Sequence, residues 1–569
     1  MRERSESAGH VLGFILSGAT TSEAEAGVLR EAENEIHEGM LVGIKAWRGK
    51  TLLIARVESL RVESDLFKPG STWENLRPYA STANLSEVAH SYLVAHLTIL
   101  GVGGRRGLPA PSKPPYPGDE VVWLEPDPRL VFGVNEEEPG IVWFGKLYGY
   151  ETLEAPLDVE NITMHIGVFG ETGSGKSYGV GYLIEKLSSI PVGDGLRAAL
   201  PVILVDANAD YIDYHEAFVK GGRVGEYSSV IRVVFPHSSL RGSPFTLELR
   251  ISLDSFTPRE IAEIIVNYKA GGVNINELQV SALDRVLSEL MDEGYTATEL
   301  LTREINVVYD RLDALSRGRD APIHHQTAKA VRAALDKFHR EVYLNTGVLA
   351  DKPTLTSEFI DRITGSEPSL VILDFSADGA PGVPLQLKQL VVAYLARLLY
   401  QRFTEYKMRG EERYLVFGIE EAQNYAPNLR NYPIGFSIAR DYLALIATQG
   451  RKFGLSLLLI TQRPAFLDPV ILSMTNTWII HRVSPEDLAY VVKGLGGLPR
   501  ELERMLTRLP RGVAVVAGQM LVTGHPLLVK IGRRRVPHRM GATRVTEKLR
   551  ELASRRRAVR PAGGGAAED

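Results

Sequence analysis

The chain has 569 residues, of which 44% are hydrophobic and 24% are charged, and its formal net charge is −4. A single hydrophobic core stops growing near about 250–300 residues, so this length predicts about three or four structural units. The near balance of charge excludes a global attraction to nucleic acid, and the absence of cysteine excludes disulfides and thiolate chemistry. Because we find no apolar run of about 18 residues and no secretory start, we expect a cytoplasmic protein without a membrane anchor.

Short β-rich runs fill the first part of the chain and are separated by glycine, charged and turn residues. A proline-rich loop from Leu108 to Pro117 interrupts the series. The runs are Val11–Leu16, Leu41–Ile44, Thr51–Val57, Val121–Leu124 and Ile141–Phe144. Several short strands at this spacing predict a small β-barrel over residues 1–150.

A glycine-rich motif from Gly170 to Ser177 follows the apolar run Ile166–Phe169 and precedes a segment of helical composition. Its spacing matches G-x-x-x-x-G-K-S, in which backbone N–H groups face phosphates, Lys176 reaches the β- and γ-oxygens, and the Ser177 hydroxyl binds Mg²⁺. The motif therefore predicts a site for a nucleoside triphosphate and Mg²⁺. The residues predicted to bind the nucleotide are Gly170, Glu171, Thr172, Gly173, Ser174, Gly175, Lys176, Ser177 and Tyr178.

From Ile162 onward, apolar strands alternate with helical segments, which predicts a mostly parallel sheet covered by helices. Two of the strands run directly into Asp206 and Asp374. The carboxyl ends of parallel strands are where open α/β sheets bind their ligands. Asp206 is thereby a further candidate ligand of Mg²⁺.

About one hundred residues between these two strands are strongly helical. Thr257 to Glu260 form a capping box with Pro258 at the first helical position, and helical periodicity recurs in Glu277–Met291, Thr298–Leu315 and Thr327–Tyr343. We predict an inserted helical bundle, the alternative being ordinary helices that cover the sheet. The predicted units are 1–150, 151–254, 255–350, 351–540 and a basic tail over 541–569.

An apolar strand from Tyr414 to Ile419 delivers two adjacent carboxylates, Glu420 and Glu421, to the sheet edge. Phosphoryl transfer to water needs one acidic group in the Mg²⁺ shell and a second to orient or deprotonate the water. We predict that Glu420 holds Mg²⁺ through water and that Glu421 serves the attacking water. The alternative is an exposed acidic strand end.

Two further catalytic candidates lie downstream. Gln462 ends an apolar strand predicted beside the acidic pair and is a candidate sensor of the γ-phosphate. Arg451, within Gly450–Gly454, is a candidate arginine finger for a neighbouring subunit's nucleotide, which would make hydrolysis depend on oligomerisation. A basic residue at a helix C-terminus also complements the helix dipole, and this is the alternative for Arg451.

Taken in order, these motifs, with Asp206–Tyr211 and Thr461–Pro464, resemble those of HerA-type ATPases of the HerA/FtsK superfamily. The resemblance covers nearly the whole chain. It implies a RecA-like ATPase core, a homohexameric ring and ATP-driven translocation of double-stranded DNA. In archaea such motors act with a NurA nuclease in the resection of double-strand breaks. The chain differs from the family pattern at Gln423, where His is frequent, and at Ala209–Tyr211, where Gly-Glu-Tyr is usual.

Basic residues are the candidates for contacts with DNA. Arg430 and Arg440 follow the acidic pair and would contact backbone phosphates, although surface arginines are commonly only solvated. Between Lys530 and Arg560 the chain carries twelve Lys and Arg residues, a block that fits nucleic-acid binding, a brace on a neighbouring subunit or a disordered tail. Two other functions remain open: a DNA-pumping ATPase of a conjugation or import apparatus, and an ATP-binding ring that serves as scaffold for a defence effector.

Overall fold

The computed structural model describes residues 9–64, 67, 91–150, 152–270, 276–318, 320–432, 437–538, 546 and 549–554. Within these ranges the strands form a closed barrel, a two-stranded sheet and a twelve-stranded sheet. The predicted α/β fold with an N-terminal barrel and a helical insertion is confirmed. The exact domain boundaries stay predictions, and most of the predicted basic tail lies outside the described residues.

Six antiparallel strands near the N-terminus form the closed barrel. They are β1 (Val11–Ile15), β2 (Glu23–Val28), β3 (Leu41–Lys45), β4 (Thr51–Ser64), β5 (Ser91–Val102) and β6 (Glu120–Val122). Their order around the barrel is β1-β2-β5-β4-β3-β6. Buried Arg56 donates to the Glu58 carboxylate and, over 2.8 Å, to the Pro526 carbonyl. This guanidinium therefore joins the barrel to the C-terminal half of the chain.

The apolar run at Ile141–Phe144 lies in the large sheet. It forms β7 (Ile141–Leu147), which pairs with β8 (Glu154–Asp158) and with β20 (Leu527–Lys530). The prediction that this run continues the barrel is wrong. A short apolar run encodes a buried strand but not the identity of its partners, one of which, β20, lies near the end of the chain.

The large sheet surrounds the predicted phosphate loop with parallel strands. Its other members are β9 (Ile166–Phe169), β12 (Val202–Asp206), β13 (Ser229–Val234), β14 (Thr246–Glu248), β15 (Ser369–Asp374), β16 (Leu415–Glu420), β17 (Leu455–Thr461), β18 (Thr477–Ile480) and β19 (Val513–Gly518). The order is β14-β13-β15-β12-β16-β17-β9-β18-β19-β20-β7-β8. Along this order, neighbouring strands from β14 as far as β18 are parallel, and neighbouring strands from β18 as far as β8 are antiparallel. The sheet is thus mixed. A separate hairpin contains β10 (Ile190–Gly193) and β11 (Leu196–Ala198).

Both faces of the parallel strands are buried. In β12, Ile203 and Val205 belong to one hydrophobic core, whereas Val202 and Leu204 belong to a second core shared with the barrel. This explains why the strand sequences are continuous apolar runs without alternation. The carboxyl ends of β9, β12, β16 and β17 meet at one edge of the sheet, where the functional motifs begin.

Helices cover the sheet and form the insertion. They are α1 (Pro128–Phe132), α2 (Lys176–Leu187), α3 (Ile212–Val219), α4 (Pro258–Ala270), α5 (Glu277–Asp292), α6 (Ala297–Leu301), α7 (Ile305–Leu315), α8 (His325–Phe338), α9 (Ser357–Thr364), α10 (Leu385–Met408), α11 (Ile438–Gln449), α12 (Pro469–Ser473), α13 (Pro485–Gly494) and α14 (Arg500–Leu506). None of the helices in the described ranges is long and apolar enough to cross a lipid bilayer.

The insertion begins at the predicted capping box. The Thr257 N–H donates to Glu260 Oε2 over 2.7 Å, and the Glu260 N–H donates to Thr257 Oγ1 over 3.3 Å. These reciprocal bonds satisfy two N–H groups that a helix start leaves unpaired. The insertion helices, α4 to α8, all lie between β14 and β15 in the chain.

Candidate nucleotide-binding site

The glycine-rich motif forms a tight loop between β9 and α2, as the strand–loop–helix pattern predicts. Gly173 and Gly175 have φ angles of 79° and 107°, a region that residues with a side chain rarely adopt. A Cβ atom at Gly175 would also lie 3.0 Å from the Gly512 nitrogen, just before β19. The loop therefore needs glycine at both positions to keep its backbone in this conformation.

A cleft of about 490 Å³ opens beside the phosphate loop. It brings together side chains that are far apart in the sequence. Its lining residues are Glu171, Thr172, Gly173, Gly175, Lys176, Ser177, Tyr178, Asn208, Asp210, Glu420, Glu421, Gln462, Arg511 and His538. Two of the predicted nucleotide-binding residues, Gly170 and Ser174, are not part of this lining. Ser174 is buried, and its hydroxyl donates to the Glu171 carbonyl over 2.7 Å, so it shapes the loop from within.

Lys176 is the buried cation of the cleft. It is 6% exposed, and its Nζ lies 3.9 Å from Glu421 Oε1 with no hydrogen-bond partner in the described part of the chain. Burial lowers the pKa of Lys176, while the Glu421, Glu420 and Asp210 carboxylates raise it. Because an unpaired buried ammonium costs free energy, this position fits the phosphate oxygens of a nucleoside triphosphate.

Glu420 ends β16 at the floor of the cleft. It is 1% exposed, and its Oε2 accepts the Ala207 N–H over 2.9 Å. Burial, with the nearby charges of Asp206 and Asp210, raises the pKa of Glu420 well above its ordinary value. A cation in the cleft would favour the ionised carboxylate, so Glu420 and the Ser177 hydroxyl fit Mg²⁺.

The remaining Mg²⁺ ligands would come from phosphate and water. Across the described ranges no group of three or more His, Asp or Glu side chains is arranged to hold a metal ion by itself. Mg²⁺ usually keeps several waters and binds through one or two protein groups together with substrate phosphates. The donor set in the cleft therefore suits an ion that arrives with the nucleotide.

Asp206 holds the turn after β12 instead of lining the cleft. Its Oδ1 accepts the N–H groups of Asp210 (2.9 Å) and Asn208 (3.3 Å), and its Oδ2 accepts the Tyr211 N–H (2.9 Å). Burial raises the pKa of Asp206 to about 7, although these bonds act in the opposite direction. Both oxygens accept backbone N–H groups, so Asp206 stabilises this turn, and its possible Mg²⁺ role stays a prediction. The carboxylate of this motif that lines the cleft is Asp210.

Glu421 is held by side chains on both sides. Gln462 Nε2 donates to its Oε1 over 2.7 Å, and Gln423 Nε2 donates to its Oε2 over 2.6 Å. The Thr172 hydroxyl donates to Gln462 Oε1 over 2.5 Å, and the Thr461 hydroxyl donates to Gln423 Oε1 over 2.6 Å. We call these five residues the Glu421 network; it connects the phosphate loop to the end of β17.

The backbone of Glu421 contributes to its placement. Its φ and ψ angles are 51° and 47°, a left-handed conformation that is uncommon for residues other than glycine. Gln462, predicted as a sensor, touches both the phosphate loop and Glu421, so a change at the γ-phosphate would reach the carboxylate directly. Gln423 was not among the predicted site residues. The sequence did carry one signal for it, because HerA-type ATPases frequently have histidine at this position.

Glu171 and Tyr178 flank the loop and fasten it to later parts of the chain. The Glu171 N–H donates to the Arg482 carbonyl over 2.8 Å, and its carboxylate pairs with the Arg482 guanidinium. The Tyr178 hydroxyl accepts the Arg534 N–H over 2.9 Å. Both predicted residues therefore lie at the cleft and support its walls.

Arg451 lies at the opposite edge of the sheet. It precedes β17, whereas Gln462 follows it, and seven residues at about 3.3 Å each put roughly 20 Å between the two. Its side chain is exposed, and among the residues that the structure describes no hydrogen bond or ion pair involves its guanidinium. Arg451 is therefore absent from the cleft of its own subunit, as a residue acting in a neighbouring subunit must be.

The two arginines predicted to contact DNA have different surroundings. Arg430 is exposed, and its backbone N–H donates to Asn428 Oδ1 over 3.1 Å. Arg440 is half-buried, and its Nε donates over 2.8 Å to Asp468, which caps the start of α12. The guanidinium of Arg440 is engaged inside the subunit, so Arg430 is the stronger candidate of the pair.

Sequence reasoning missed four residues of the cleft. Asn208 and Asp210 belong to a motif that was recognised, but Arg511 and His538 lie more than three hundred residues after the phosphate loop in sequences without a motif. They reach the cleft because β19 and β20 lie near β9 in the sheet. Only the strand order, which no local pattern encodes, could have found them.

A glycine-rich loop with a buried lysine, an adjacent hydroxyl and two strand-end glutamates defines the class: a P-loop ATPase. Comparison with known proteins then adds a family likeness. A family model described as "Helicase HerA, central domain" matches residues 142–399, which is less than half of the chain. The chain is a P-loop ATPase whose central part is similar to the HerA central domain.

Relatives align along most of the chain. A protein of Sulfurisphaera tokodaii described as DNA double-strand break repair helicase HerA is 24% identical over 540 residues, which cover 92% of this chain and 93% of that protein. A protein of Pyrococcus furiosus with the same description is 24% identical over 77% of each chain. Among solved structures, VirB4 of Thermoanaerobacter pseudethanolicus matches with a TM-score of 0.45 and 14% identity, over 71% of this chain and 98% of that one.

Proposed function

We propose that this ATPase is a translocase of double-stranded DNA that works as a homohexameric ring and acts in the resection of double-strand breaks with a NurA-type nuclease. The description of its relatives as double-strand break repair helicases supports this proposal. The observation that carries it is the division of the chemistry between two sheet edges. The Glu421 network lies at one edge, and Arg451 is exposed at the other.

The residues of the cleft have separate tasks during hydrolysis. The loop N–H groups and Lys176 would bind the β- and γ-phosphates. Ser177, and Glu420 through water, would hold Mg²⁺, which would supply positive charge to neutralise these phosphates. Glu421 orients the attacking water and accepts its proton. Gln462 aligns Glu421 with the phosphate loop, since it bonds to both.

A ring would complete each site with a second subunit. Charge grows on the γ-phosphoryl group in the transition state, and a guanidinium supplied from outside stabilises it. Arg451 fits this role because it is exposed at the edge opposite its own cleft. Hydrolysis would then require assembly, which couples the subunits around the ring.

DNA is the substrate that we expect the ring to move. A channel that grips backbone phosphates binds with strong salt dependence and little sequence preference. Arg430 is our candidate contact, and the basic block after Lys530 is a further source of charge. We expect the ring to act in the cytoplasm.

The test is ATP hydrolysis by the purified chain with and without linear double-stranded DNA, at low and high salt, together with its mass in solution. A hexamer whose turnover rises severalfold with DNA, and loses this rise at high salt, supports the translocase. Turnover that is indifferent to DNA in an intact ring contradicts it and favours the scaffold function. Where DNA does stimulate turnover, addition of a NurA-type nuclease should raise turnover further and generate resected DNA ends.

A further inference from the structure

The segment after β20 runs along the helix that begins at the phosphate loop. We call residues 531–538 the C-terminal strap. The Glu185 carboxylate, on α2, accepts the N–H groups of Arg535 over 2.7 Å and of Val536 over 3.0 Å. The Arg534 N–H donates to the Tyr178 hydroxyl over 2.9 Å. The strap is therefore fastened to α2 at several points close to the nucleotide cleft.

Two glycines show that this packing is close. A Cβ atom at Gly181 of α2 would lie 2.8 Å from Arg534 Cζ, and one at Gly532 of the strap would lie 2.3 Å from the Tyr182 hydroxyl. Arg534 itself is 5% exposed, and its Cζ stands 4.6 Å from the centre of the Tyr214 ring. Neither α2 at Gly181 nor the strap at Gly532 has room for a side chain, so the strap packs on α2 in one defined position.

His538, at the end of the strap, lines the cleft. Its Nδ1 lies 2.9 Å from Arg534 Nη1, and because a guanidinium only donates, Nδ1 must accept and Nε2 must carry the proton. Burial and the Arg534 charge lower the pKa of His538, whereas the Asp210 and Asp213 carboxylates raise it; Asp213 Oδ2 lies 3.6 Å from Nδ1. The centre of the His538 ring is 6.0 Å from that of the Tyr178 ring, with the two planes at 77°. The strap thus gives the cleft an aromatic ring with an N–H donor.

The lining of the cleft combines two kinds of side chain. Lys176, Glu420, Glu421 and Gln462 supply the charges and amides that phosphoryl transfer needs, whereas Tyr178 and His538 supply aromatic surface and an N–H donor. A nucleoside is an aromatic base and a sugar with hydrogen-bond acceptors, and such ligands bind apolar and aromatic walls with a few placed polar groups. We propose that Tyr178 and His538 form the nucleoside subsite of the ATP site, so that the strap determines affinity for the base and ribose.

The subsite rests on nucleotide binding at the phosphate loop, and the test separates the two. Isothermal titration measures MgADP and Mg-pyrophosphate binding to the full-length protein, since pyrophosphate contains only the part that the loop holds. The variants are His538→Ala, His538→Gln, which keeps an N–H donor, and Arg533→Ala, an exposed strap residue, as the matched control.

We expect His538→Ala to weaken MgADP binding about tenfold and to leave Mg-pyrophosphate binding unchanged. His538→Gln should recover part of the loss, and Arg533→Ala should behave as the wild type. An equal loss for both ligands, or no loss for MgADP, overturns the nucleoside subsite. If the wild type binds neither ligand, the phosphate site itself is refuted, an outcome distinct from failure of the subsite alone.

Discussion

The two edges of the parallel strands differ in nearly every physical respect. At the carboxyl edge, Lys176 and Glu420 are buried, and Glu421 is held by two amide donors. At the amino edge, Arg451 stands exposed on a short turn. The first edge is organised before any ligand arrives, and the second offers a charge that has no side-chain partner in the described part of the chain. If Arg451 acts in a neighbouring subunit, as we propose, then hydrolysis at the preorganised edge depends on assembly of the ring.

The amino edge has its own means of fixing Arg451. His165 precedes β9, its Nε2 lies 2.9 Å from the Ala447 carbonyl at the end of α11, and its Nδ1 accepts the Leu457 N–H over 3.0 Å. The ring bridges the two elements between which the Arg451 turn lies. Burial lowers the pKa of His165 to about 4, so the bridge is neutral at physiological pH.

Removal of Arg451 should have the largest effect. We expect Arg451→Ala to lower turnover about a thousandfold, because arginine fingers contribute at least that much, and to leave the mass of the ring unchanged. Lys452→Ala, an exposed neighbour, is the matched control. Mixed rings of Arg451→Ala and Lys176→Ala subunits should regain activity, since each intact cleft can then meet an intact arginine. Mixed rings as inactive as the pure variants would contradict action between subunits.

Glu421→Gln should lower turnover by about a hundredfold or more, because the amide can no longer accept the proton of the attacking water. The side chain keeps its size, so we expect the affinity for ATP to change little. Equilibrium binding and single-turnover hydrolysis measure the two quantities separately. Normal turnover in this variant would remove Glu421 from the water role.

Gln423→Leu should lower kcat about tenfold and leave KM nearly unchanged, since Gln423 touches Glu421 and not the nucleotide loop. Thr461→Val removes only the outer hydrogen bond of the Glu421 network and should have a smaller effect. Gln423→His retains a ring donor and should restore part of the activity. A change in KM instead of kcat would show that Gln423 acts on binding and not on positioning.

Acid should destabilise the protein, because a buried histidine lies at each edge: His165 at the amino edge and His481, directly after β18, at the carboxyl edge. The pKa values of His165 and of His481 are lowered by burial from 6.5 to about 4, so protonation favours the unfolded chain. Stability is unaffected well above pH 6.5 and falls as the pH drops from 6.5 towards 4, by roughly 2 kcal/mol per residue at pH 5. Urea midpoints at pH 7 and pH 5 measure this loss. His165→Gln should lose less stability over this interval than the wild type; an identical loss would exclude His165 as a cause.

Arg430→Ala should have the smallest effect, since Arg430 is exposed and would supply a single phosphate contact. We expect double-stranded DNA binding to weaken about threefold and the slope of affinity against salt to fall by about one phosphate contact. Arg440→Ala should leave DNA binding unchanged and lower the thermal midpoint, because it leaves Asp468 without its ion pair. If DNA binding were weakened only in Arg440→Ala, then Arg440 and not Arg430 would be the DNA contact.

Features that depend only on residues adjacent in the sequence were predictable from local patterns. The phosphate loop, the strand that ends at Glu420 and the capping box at Thr257 are contiguous signatures, and the structure shows each of them. Asp206 shows the limit, because both it and Glu420 follow an apolar strand. Only the path of the next residues, which turn back to bond with Asp206, separates a turn-forming carboxylate from one that lines the cleft.

Residues that depend on strand order were not predictable from the sequence. His538 and Arg511 carry no motif, and their place in the cleft follows from β19 and β20 lying near β9. The strand at Ile141 was assigned to the barrel for the same reason. Long-range pairing is a property of the whole sheet, and a window of ten residues does not contain it.

The pairing of β7 with β20 also has a consequence for how the chain folds. An early strand and a late strand are neighbours in one sheet, so the sheet cannot be completed until nearly all of the polypeptide has left the ribosome. Contacts of such separation slow folding and leave strand edges open in the meantime. The barrel can form during synthesis, whereas the catalytic unit must wait for its last strand, and a nascent chain stalled before β20 would present an unpaired edge to chaperones.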